Sequence, residues 1–286
     1  MRKVLPQFTV SIGRHKYTHF FSREMSFAIS FVPDNTYNVV SEINAQPFEV
    51  APPWRPNSDT IVASGYPNPV AAVNKGGSML FPGTNSSYLS VPNDIDFRFR
   101  TGQFTIEWFQ YMTSQTANPR VFTIGSWNTA TIGLSIENIS GGRVYFWVNG
   151  NIELTYVITS YLNTWVHMAI TRDTSNIIRI FQNGVVKSTS SANTYDFNNT
   201  TAVLAIGNET NPGSPFPGYI TNFHWVKGTA LYTGAFTPPT LPITPVANTK
   251  LLLLATTSGT LLTDSSGLGK TVTNIGGITW DSRQPF

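Results

Sequence analysis

Alternating apolar and polar residues dominate the chain from residue 76 onward, and the clearest stretch is residues 165–184. In that stretch Val166, Met168 and Ile170 fall at every second position. Successive side chains of a strand point to opposite faces of a sheet, so this period predicts a strand with one buried face. The polar residues 173–176 predict a turn, and residues 177–181 resume the β-branched pattern of a second strand.

Tight turns separate these stretches. Asn149-Gly150 and Asn183-Gly184 are dipeptides that readily adopt positive φ, and each predicts a two-residue hairpin. Further short stretches with strand character recur at near-regular spacing, namely residues 79–81, 88–91, 104–109, 120–124, 131–136, 143–148, 203–206 and 219–226. With many short strands and no helical period, the pattern predicts an all-β, two-sheet antiparallel sandwich.

Residues 1–75 have a different texture. A strand is predicted at residues 27–32, but seven prolines follow between Pro33 and Pro69, a density that favours extended chain. We therefore predict an extended N-terminal arm, residues 1–75, and a globular domain, residues 76–286. The arm is either a leader on the surface or an anchor on a neighbouring protein. The residues expected to anchor it are Arg2, Lys3, Arg14, Lys16, Phe20, Phe21 and Arg23.

The composition excludes cysteine-dependent functions and argues against nucleic acid and membranes as partners. Without cysteine the chain has no disulfide, no thiolate metal site and no cysteine nucleophile. The formal net charge is only +3, and the early positive charges are too dispersed to form a dense patch, so nucleic acid is disfavoured as a partner. No apolar run is long enough for a signal peptide or a membrane span, so no membrane partner is expected.

Several blocks along the chain carry a family resemblance. In order they are GGSMLFPGTNSSYLSVP, FTIEWFQYM, WVHMAITRDTSNIIRIFQNG, LAIGN, FPGYITNFHWVKGTALYTGAFTPPT and DSSGLGKTVTNIGGITWDSRQPF. Together, over residues 76–286, they resemble the laminin-G-like jelly roll of the concanavalin A-like lectin/glucanase superfamily. The block with Tyr-Thr-Gly and Phe-Thr-Pro-Pro is similar to domains of phage and large-virus structural proteins. The resemblance implies a jelly-roll fold, and it makes calcium on rim loops the metal to consider.

Enzymatic chemistry is not predicted. The glucanases of this superfamily place carboxylates on alternate strand positions, whereas Glu107 stands alone in its strand. Asp94 and Asp96 alternate, but they lie beside Pro92-Asn93, where turn chemistry explains them better. His167 and His224 are expected to have structural roles. We therefore predict that the protein is not an enzyme.

Binding candidates remain. Exposed aromatic residues stack on sugar faces, and neighbouring amides and carboxylates bind hydroxyls. The candidates for glycan binding are Trp127, Asn128, Tyr195, Asp196 and Tyr232. Trp108, Trp165 and Trp225 are instead expected in the core because they lie in strand patterns. Asp264 and Asp196 are the candidates for calcium, without a spacing that defines a site.

The sequence thus favours a non-enzymatic virion structural protein, associated with a capsid or tail. The arm would bind other virion proteins and the jelly-roll head would be displayed. The alternative is a bacterial or viral carbohydrate-binding adhesion module, extracellular or at the cell surface, and a glycoside hydrolase ranks third. A cell-surface polysaccharide and a second copy of the chain are further candidate partners.

Overall fold

The computed structural model describes residues 7–12, 15–20, 28–31, 37–40, 76–115, 118–126, 130–138, 141–211 and 213–286. The chain divides into two compact units, Met1–Tyr66 and Pro67–Phe286. The described residues form strands, turns and two short 3-10 helices, Ile95–Phe97 and Ser258–Thr260. Among them, no helix has the length and apolar character needed to cross a membrane.

The first unit contains two antiparallel hairpins. Strands β1 (Gln7–Ile12) and β2 (His15–Phe20) form one, and β3 (Ala28–Phe31) and β4 (Tyr37–Val40) form the other. The predicted strand at residues 27–32 is confirmed as β3, whereas the first hairpin was not predicted. The extended arm and its boundary at residue 75 stay predictions. Of the anchoring candidates, Lys16 and Phe20 lie on β2, and the others lie outside the described residues: Arg2, Lys3, Arg14, Phe21 and Arg23.

The second unit is a sandwich of two antiparallel sheets, as predicted. In chain order its strands are β5 (Ser78–Pro82), β6 (Tyr88–Val91), β7 (Phe104–Met112), β8 (Arg120–Ile124), β9 (Ile132–Glu137), β10 (Arg143–Val148), β11 (Asn151–Val157), β12 (Val166–Arg172), β13 (Ile178–Gln182), β14 (Val185–Thr189), β15 (Leu204–Ile206), β16 (Pro217–Lys227), β17 (Thr249–Leu253), β18 (Thr273–Ile275) and β19 (Thr279–Asp281). The smaller sheet has the order β11-β10-β9-β8-β15-β6-β18. The larger sheet has the order β14-β13-β12-β7-β16-β5-β19, with β17 also paired to β16.

The hydrophobic core lies between the two sheets. Val166, Met168 and Ile170 of β12 belong to it and are fully buried, which confirms the face predicted from their alternation. Ile106 and Trp108 of β7 are buried in the same cluster. Burying each such side chain contributes roughly 1.5–3 kcal/mol, so the shared core stabilises both sheets at once.

Both predicted two-residue turns are present. Asn149 and Gly150 have φ of 49° and 77°, and Asn183 and Gly184 have φ of 50° and 75°. At Gly184 a second constraint acts, because a Cβ there would collide with the carbonyl oxygen of Phe236. The turn is therefore also a contact point for a later part of the chain.

Strand β16 is the longest and organises the larger sheet. One side of it pairs with β7, and the other side pairs with β5 in its first half and with β17 in its second half. A register shift between Thr221 and His224 interrupts the pairing with β7, and Asn222 there has a φ of 54°. At the edge of the sheet, β19 pairs with β5, so that Asp281 lies opposite Ser78.

Candidate functional site

The polar and aromatic side chains of interest lie on the outer face of the larger sheet, the side away from the core. Ile106 and Trp108 of β7 point into the core, so Glu107 between them points outward. The strand register places Glu107 opposite Ala169 of β12 and His224 of β16. In the next outward row, Phe109 lies opposite His167. The sheet thereby gathers residues that are far apart in the sequence.

Glu107 is the centre of a buried hydrogen-bonded cluster. Its Oε1 lies 2.8 Å from His224 Nδ1, and its Oε2 lies 3.1 Å from His167 Nε2. The hydroxyl of Tyr232 donates to Oε2 at 2.8 Å. Glu107 and the two histidines are at most 2% exposed. Sequence reasoning treated the carboxylate and both histidines separately, and only the strand register brings them together.

Residues 228–248, here called the crossing segment, cover this part of the face. The hydroxyl of Thr105 donates to the carbonyl of Thr229 at 3.0 Å and accepts from the amide of Leu231 at 2.9 Å. The hydroxyl of Thr171 donates to the carbonyl of Tyr232 at 2.8 Å. These strand hydroxyls fix the segment across the sheet and aim Tyr232 at Glu107.

Aromatic packing holds the same segment. The rings of Tyr232 and Phe236 stack with centroids 3.5 Å apart. Phe236 also meets the rings of His167 and Phe181 edge-on, at 5.6 Å and 5.3 Å. Tyr232 is a candidate for glycan stacking. Its hydroxyl is hydrogen-bonded to Glu107, and one face of its ring is covered by Phe236.

The hydrogen bonds around His224 are compatible with the tautomer that carries its proton on Nδ1. Thr249 Oγ1 accepts from the amide of Val246 at 2.9 Å and lies 2.8 Å from His224 Nε2. If the Thr249 hydroxyl donates to Nε2, then Nδ1 carries the proton that reaches Glu107. The remaining ring nitrogen of the cluster, His167 Nδ1, is buried without a hydrogen-bond partner.

The cluster stabilises a buried negative charge. Burial raises the pKa of Glu107, but the hydrogen bonds from His167 and His224 outweigh it and lower the pKa to about 2. Burial, followed by the nearby Glu107 charge and the hydrogen bond to it, raises the pKa of Tyr232. At neutral pH the carboxylate of Glu107 is therefore ionised, and it accepts a hydrogen bond from the protonated hydroxyl of Tyr232.

A cavity of about 230 Å³ adjoins the cluster. Glu107, His224 and Tyr232 line it on one side, and Leu241 and Val246 are among the largely apolar residues of the crossing segment that line the rest. Since both oxygens of the carboxylate already accept hydrogen bonds, its evident role is to hold the crossing segment on the sheet.

The open part of the outer face carries three aromatic rings, here called the aromatic platform: Tyr111, Trp165 and Tyr219. Tyr111 lies opposite Tyr219 in the sheet, with ring centroids 5.7 Å apart. The ring of Trp165 lies 5.7 Å from Tyr111 and 6.5 Å from Tyr219. Tyr111 and Trp165 are half-buried, whereas Tyr219 is 7% exposed. Tyr111 and Trp165 thus keep some aromatic surface exposed to solvent beside the covered cluster.

Arg283 lies over this platform. Its guanidinium carbon is 4.5 Å from the ring centroid of Tyr219 and 5.4 Å from that of Tyr111. A cation within about 6 Å of an aromatic centroid is attracted by the ring quadrupole. The site therefore combines π-faces with a positive charge.

The prediction that Trp165 is a core residue is wrong, whereas Trp108 and Trp225 are fully buried as predicted. Residue 165 has the same parity as His167, and the alternation of β12 turns both away from Met168. That parity was readable from the sequence. The proximity of Trp165 to Tyr111 and Tyr219 was not, because it depends on which strands are neighbours.

The other glycan candidates are placed differently. Tyr195 is half-buried, and its hydroxyl donates to Glu153 at 2.5 Å. Asp196 is exposed and forms an ion pair with Arg100 at 3.4 Å. Trp127 and Asn128 lie outside the described residues. A glycan site at these positions stays a prediction.

The calcium candidates have local roles. The carboxylate of Asp264 accepts four hydrogen bonds of 2.7–3.1 Å. Their donors are the amides of Leu252, Ser266 and Lys270 and the hydroxyl of Ser266. These bonds shape the turn after β17, which explains the residue without a metal. Within the described ranges, no group of three or more His, Asp or Glu side chains is arranged to hold a metal ion. Calcium binding stays a prediction.

Comparison with known proteins agrees with the fold. A laminin G family model, described as the concanavalin A-like lectin/glucanases superfamily, matches residues 83–231, just over half of the chain. No curated protein matches the sequence.

Solved structures match the chain at low identity. A Bacteroides ovatus protein to which carbohydrate binding has been attributed is 19% identical, with a TM-score of 0.56 over 72% of this chain and 59% of that protein. The heptameric SAP-like pentraxin of Limulus polyphemus is 13% identical, with a TM-score of 0.48 over 74% of this chain and 97% of its own. Domains LG4-5 of the mouse laminin alpha1 chain are 21% identical, with a TM-score of 0.41 over 58% of this chain and 45% of theirs.

The present chain thus spans less than two thirds of the Bacteroides ovatus protein, and identities this low concern the fold alone. The family model agrees with the two-sheet sandwich of the structure. The chain belongs to the concanavalin A-like lectin/glucanases superfamily, in its laminin G group.

Proposed function

We propose that this chain is a non-enzymatic carbohydrate-binding module, and that the aromatic platform Tyr111, Trp165 and Tyr219 is its binding surface. The observation that carries the proposal is the gathering of these rings on the outer face instead of in the core. Aromatic side chains supply large rigid contact areas, and sugars present C–H faces that stack on them. The attributed carbohydrate binding of the Bacteroides ovatus protein, which shares the fold, agrees with this proposal.

The placement of Glu107 supports a binding role over hydrolysis. A glycosidase needs two carboxyl groups on either side of the scissile bond, one of them able to give up a proton. Glu107 is 2% exposed and accepts hydrogen bonds from His167, His224 and Tyr232. Its pKa of about 2 makes it a poor general acid near neutral pH.

The direct test is a glycan array probed with the full chain and with Trp165→Ala. Loss of an aromatic hot spot from a binding surface costs about 2 kcal/mol or more, so binding should weaken at least about thirtyfold. Tyr145→Ala is the matched control, because Tyr145 is a half-buried aromatic on a strand of the other sheet. Both variants should melt cooperatively. A blank array with the wild-type protein would refute the proposal.

The finer role that the sequence favours, display on a virion, is also part of this proposal. The jelly-roll unit would be the displayed head, and residues 1–75 would anchor it to other virion proteins. What supports it is the resemblance of the Tyr-Thr-Gly and Phe-Thr-Pro-Pro block to viral structural domains. Deleting residues 1–75 should leave a folded head that no longer joins the particle, and normal incorporation of the truncated chain would exclude the anchor.

A further inference from the structure

Arg283 gives the aromatic platform a charge preference. Its backbone amide donates to Asp281 Oδ1 at 2.8 Å, which fixes the turn that follows β19. Phe286 packs edge-on against Phe109, with ring centroids 5.2 Å apart. The last residues of the chain are therefore held against the outer face, with the Arg283 side chain above Tyr219 and Tyr111.

The guanidinium of Arg283 has no hydrogen-bond or ion-pair partner among the described residues. Two arginines elsewhere in the domain are engaged: Arg179 pairs with Asp173, and Arg172 donates to two backbone carbonyls. Arg283, by contrast, is exposed, and its guanidinium lies over two aromatic rings that offer no conventional hydrogen-bond acceptor. Its N–H donors are therefore left for a planar acceptor such as a carboxylate.

We propose that the platform binds a sugar acid, with the sugar ring on Trp165 and Tyr111 and the sugar carboxylate on Arg283. This proposal rests on the proposed carbohydrate binding and adds the class of sugar. The planar fork of an arginine matches the two oxygens of a carboxylate in bidentate geometry. The rings beneath it restrict the guanidinium, so less side-chain entropy is lost on binding.

The alternative role for Arg283 is a cover that occupies the rings in place of a ligand. The two roles predict opposite effects of removing the side chain. A carboxylate-binding arginine is needed for affinity, whereas a cover must be displaced before any sugar can stack. One substitution therefore separates the two.

The test uses the full chain on an array of uronate-containing and sialylated glycans, with their neutral counterparts and carboxyl methyl esters beside them. The wild type should prefer the free acids to the esters. Arg283→Ala should weaken binding of the acids about fivefold, the range of an exposed ion pair, and leave the neutral glycans unchanged. Arg283→Lys should retain only part of the preference, because it keeps the charge and loses the fork.

Arg143→Ala is the matched control, since it removes one arginine from a strand of the other sheet and should bind like the wild type. Raising the salt concentration should weaken binding of the acids by the wild type more than by Arg283→Ala. Equal binding of acids, esters and neutral glycans would refute the charge preference while leaving the carbohydrate module intact. Tighter binding by Arg283→Ala would identify the arginine as a cover. A blank array would refute the proposed function itself.

Discussion

Glu107 shows how much one buried carboxylate depends on its donors. A charge taken out of water costs several kcal/mol unless hydrogen bonds replace its hydration. Here three donors from three parts of the chain supply that replacement, namely His167, His224 and Tyr232. Removing the charge would leave those donors with a weaker hydrogen-bond acceptor. Buried polar groups with weakened hydrogen bonds lower the stability of the folded protein.

This dependence predicts a specific loss of stability in acid. The pKa of Glu107 is about 2 in the folded protein, below its ordinary value of 4.5. A depressed pKa contributes stability that is complete above about pH 4.5 and is lost as the pH falls from there toward 2. The contribution is about 3 kcal/mol by linkage. Urea unfolding of the wild type between pH 2 and 7 measures it.

Glu107→Gln tests the assignment. This variant should be less stable than the wild type at pH 7 by about 3 kcal/mol, and the difference should shrink as the pH approaches 2. Glu153→Gln is the control, because Glu153 lies on β11 with only a partly buried bond from Tyr195. Parallel pH profiles for the wild type and Glu107→Gln would contradict the role of the cluster.

At the scale of elements, the crossing segment and the Asn183-Gly184 turn depend on each other. The amide of Phe236 donates to the carbonyl of Gly184 at 2.9 Å. The Phe236 ring in turn packs on Tyr232, which reaches Glu107. A change in the hairpin turn is therefore transmitted to the outer face of the sheet.

Gly184→Ala should accordingly do more than strain the backbone. The new Cβ would collide with the carbonyl oxygen of Phe236 in addition to facing an unfavourable φ of 75°. Gly267→Ala isolates the second effect, because its φ is 86° with nothing within 4 Å of an added Cβ. We expect about 1 kcal/mol of destabilisation at Gly267 and about 2–4 kcal/mol at Gly184, measured by urea unfolding. Similar losses at both positions would exclude the collision.

The strands β7 and β12 show which features of the site can be predicted from the sequence and which cannot. The alternation in β7 and β12 predicts that Trp108 and Met168 share the core, because burial depends on local periodicity. The same alternation turns Glu107 and His167 outward, but they are 60 residues apart in the chain, and His224 is 117 residues from Glu107. Their meeting depends on the order of strands in the sheet, which no local pattern encodes. The aromatic platform escapes prediction for the same reason.

At the scale of the molecule, the second unit contains a complete core. The buried cluster extends from Met79 on β5 to Ile278 beside β19, and β5 completes one side of β16. The family match over residues 83–231 leaves out β5 and the last three strands. The folding unit is therefore longer than the stretch that identifies the family.

Two fragments test this. Residues 67–286 should fold, unfold cooperatively in urea and keep glycan binding within about twofold, because the unit has its own core. Residues 83–231 should not fold. This fragment keeps β16 but lacks its partner β5, and the loss of Met79 and Phe81 leaves a hole in the core. Circular dichroism and the steepness of the transition distinguish the two. A cooperative transition in the shorter fragment would show that β5 is dispensable.

The pairing of β19 with β5 has a consequence for how the module can be joined to other chains. Asp281 and Ser78 lie opposite each other in antiparallel strands, so the points where the polypeptide enters and leaves the sandwich are neighbours. A domain with adjacent entry and exit can be spliced into a surface loop of a host protein without stretching that loop. The same closeness permits circular permutation, in which a short linker joins the two strands and new termini open elsewhere.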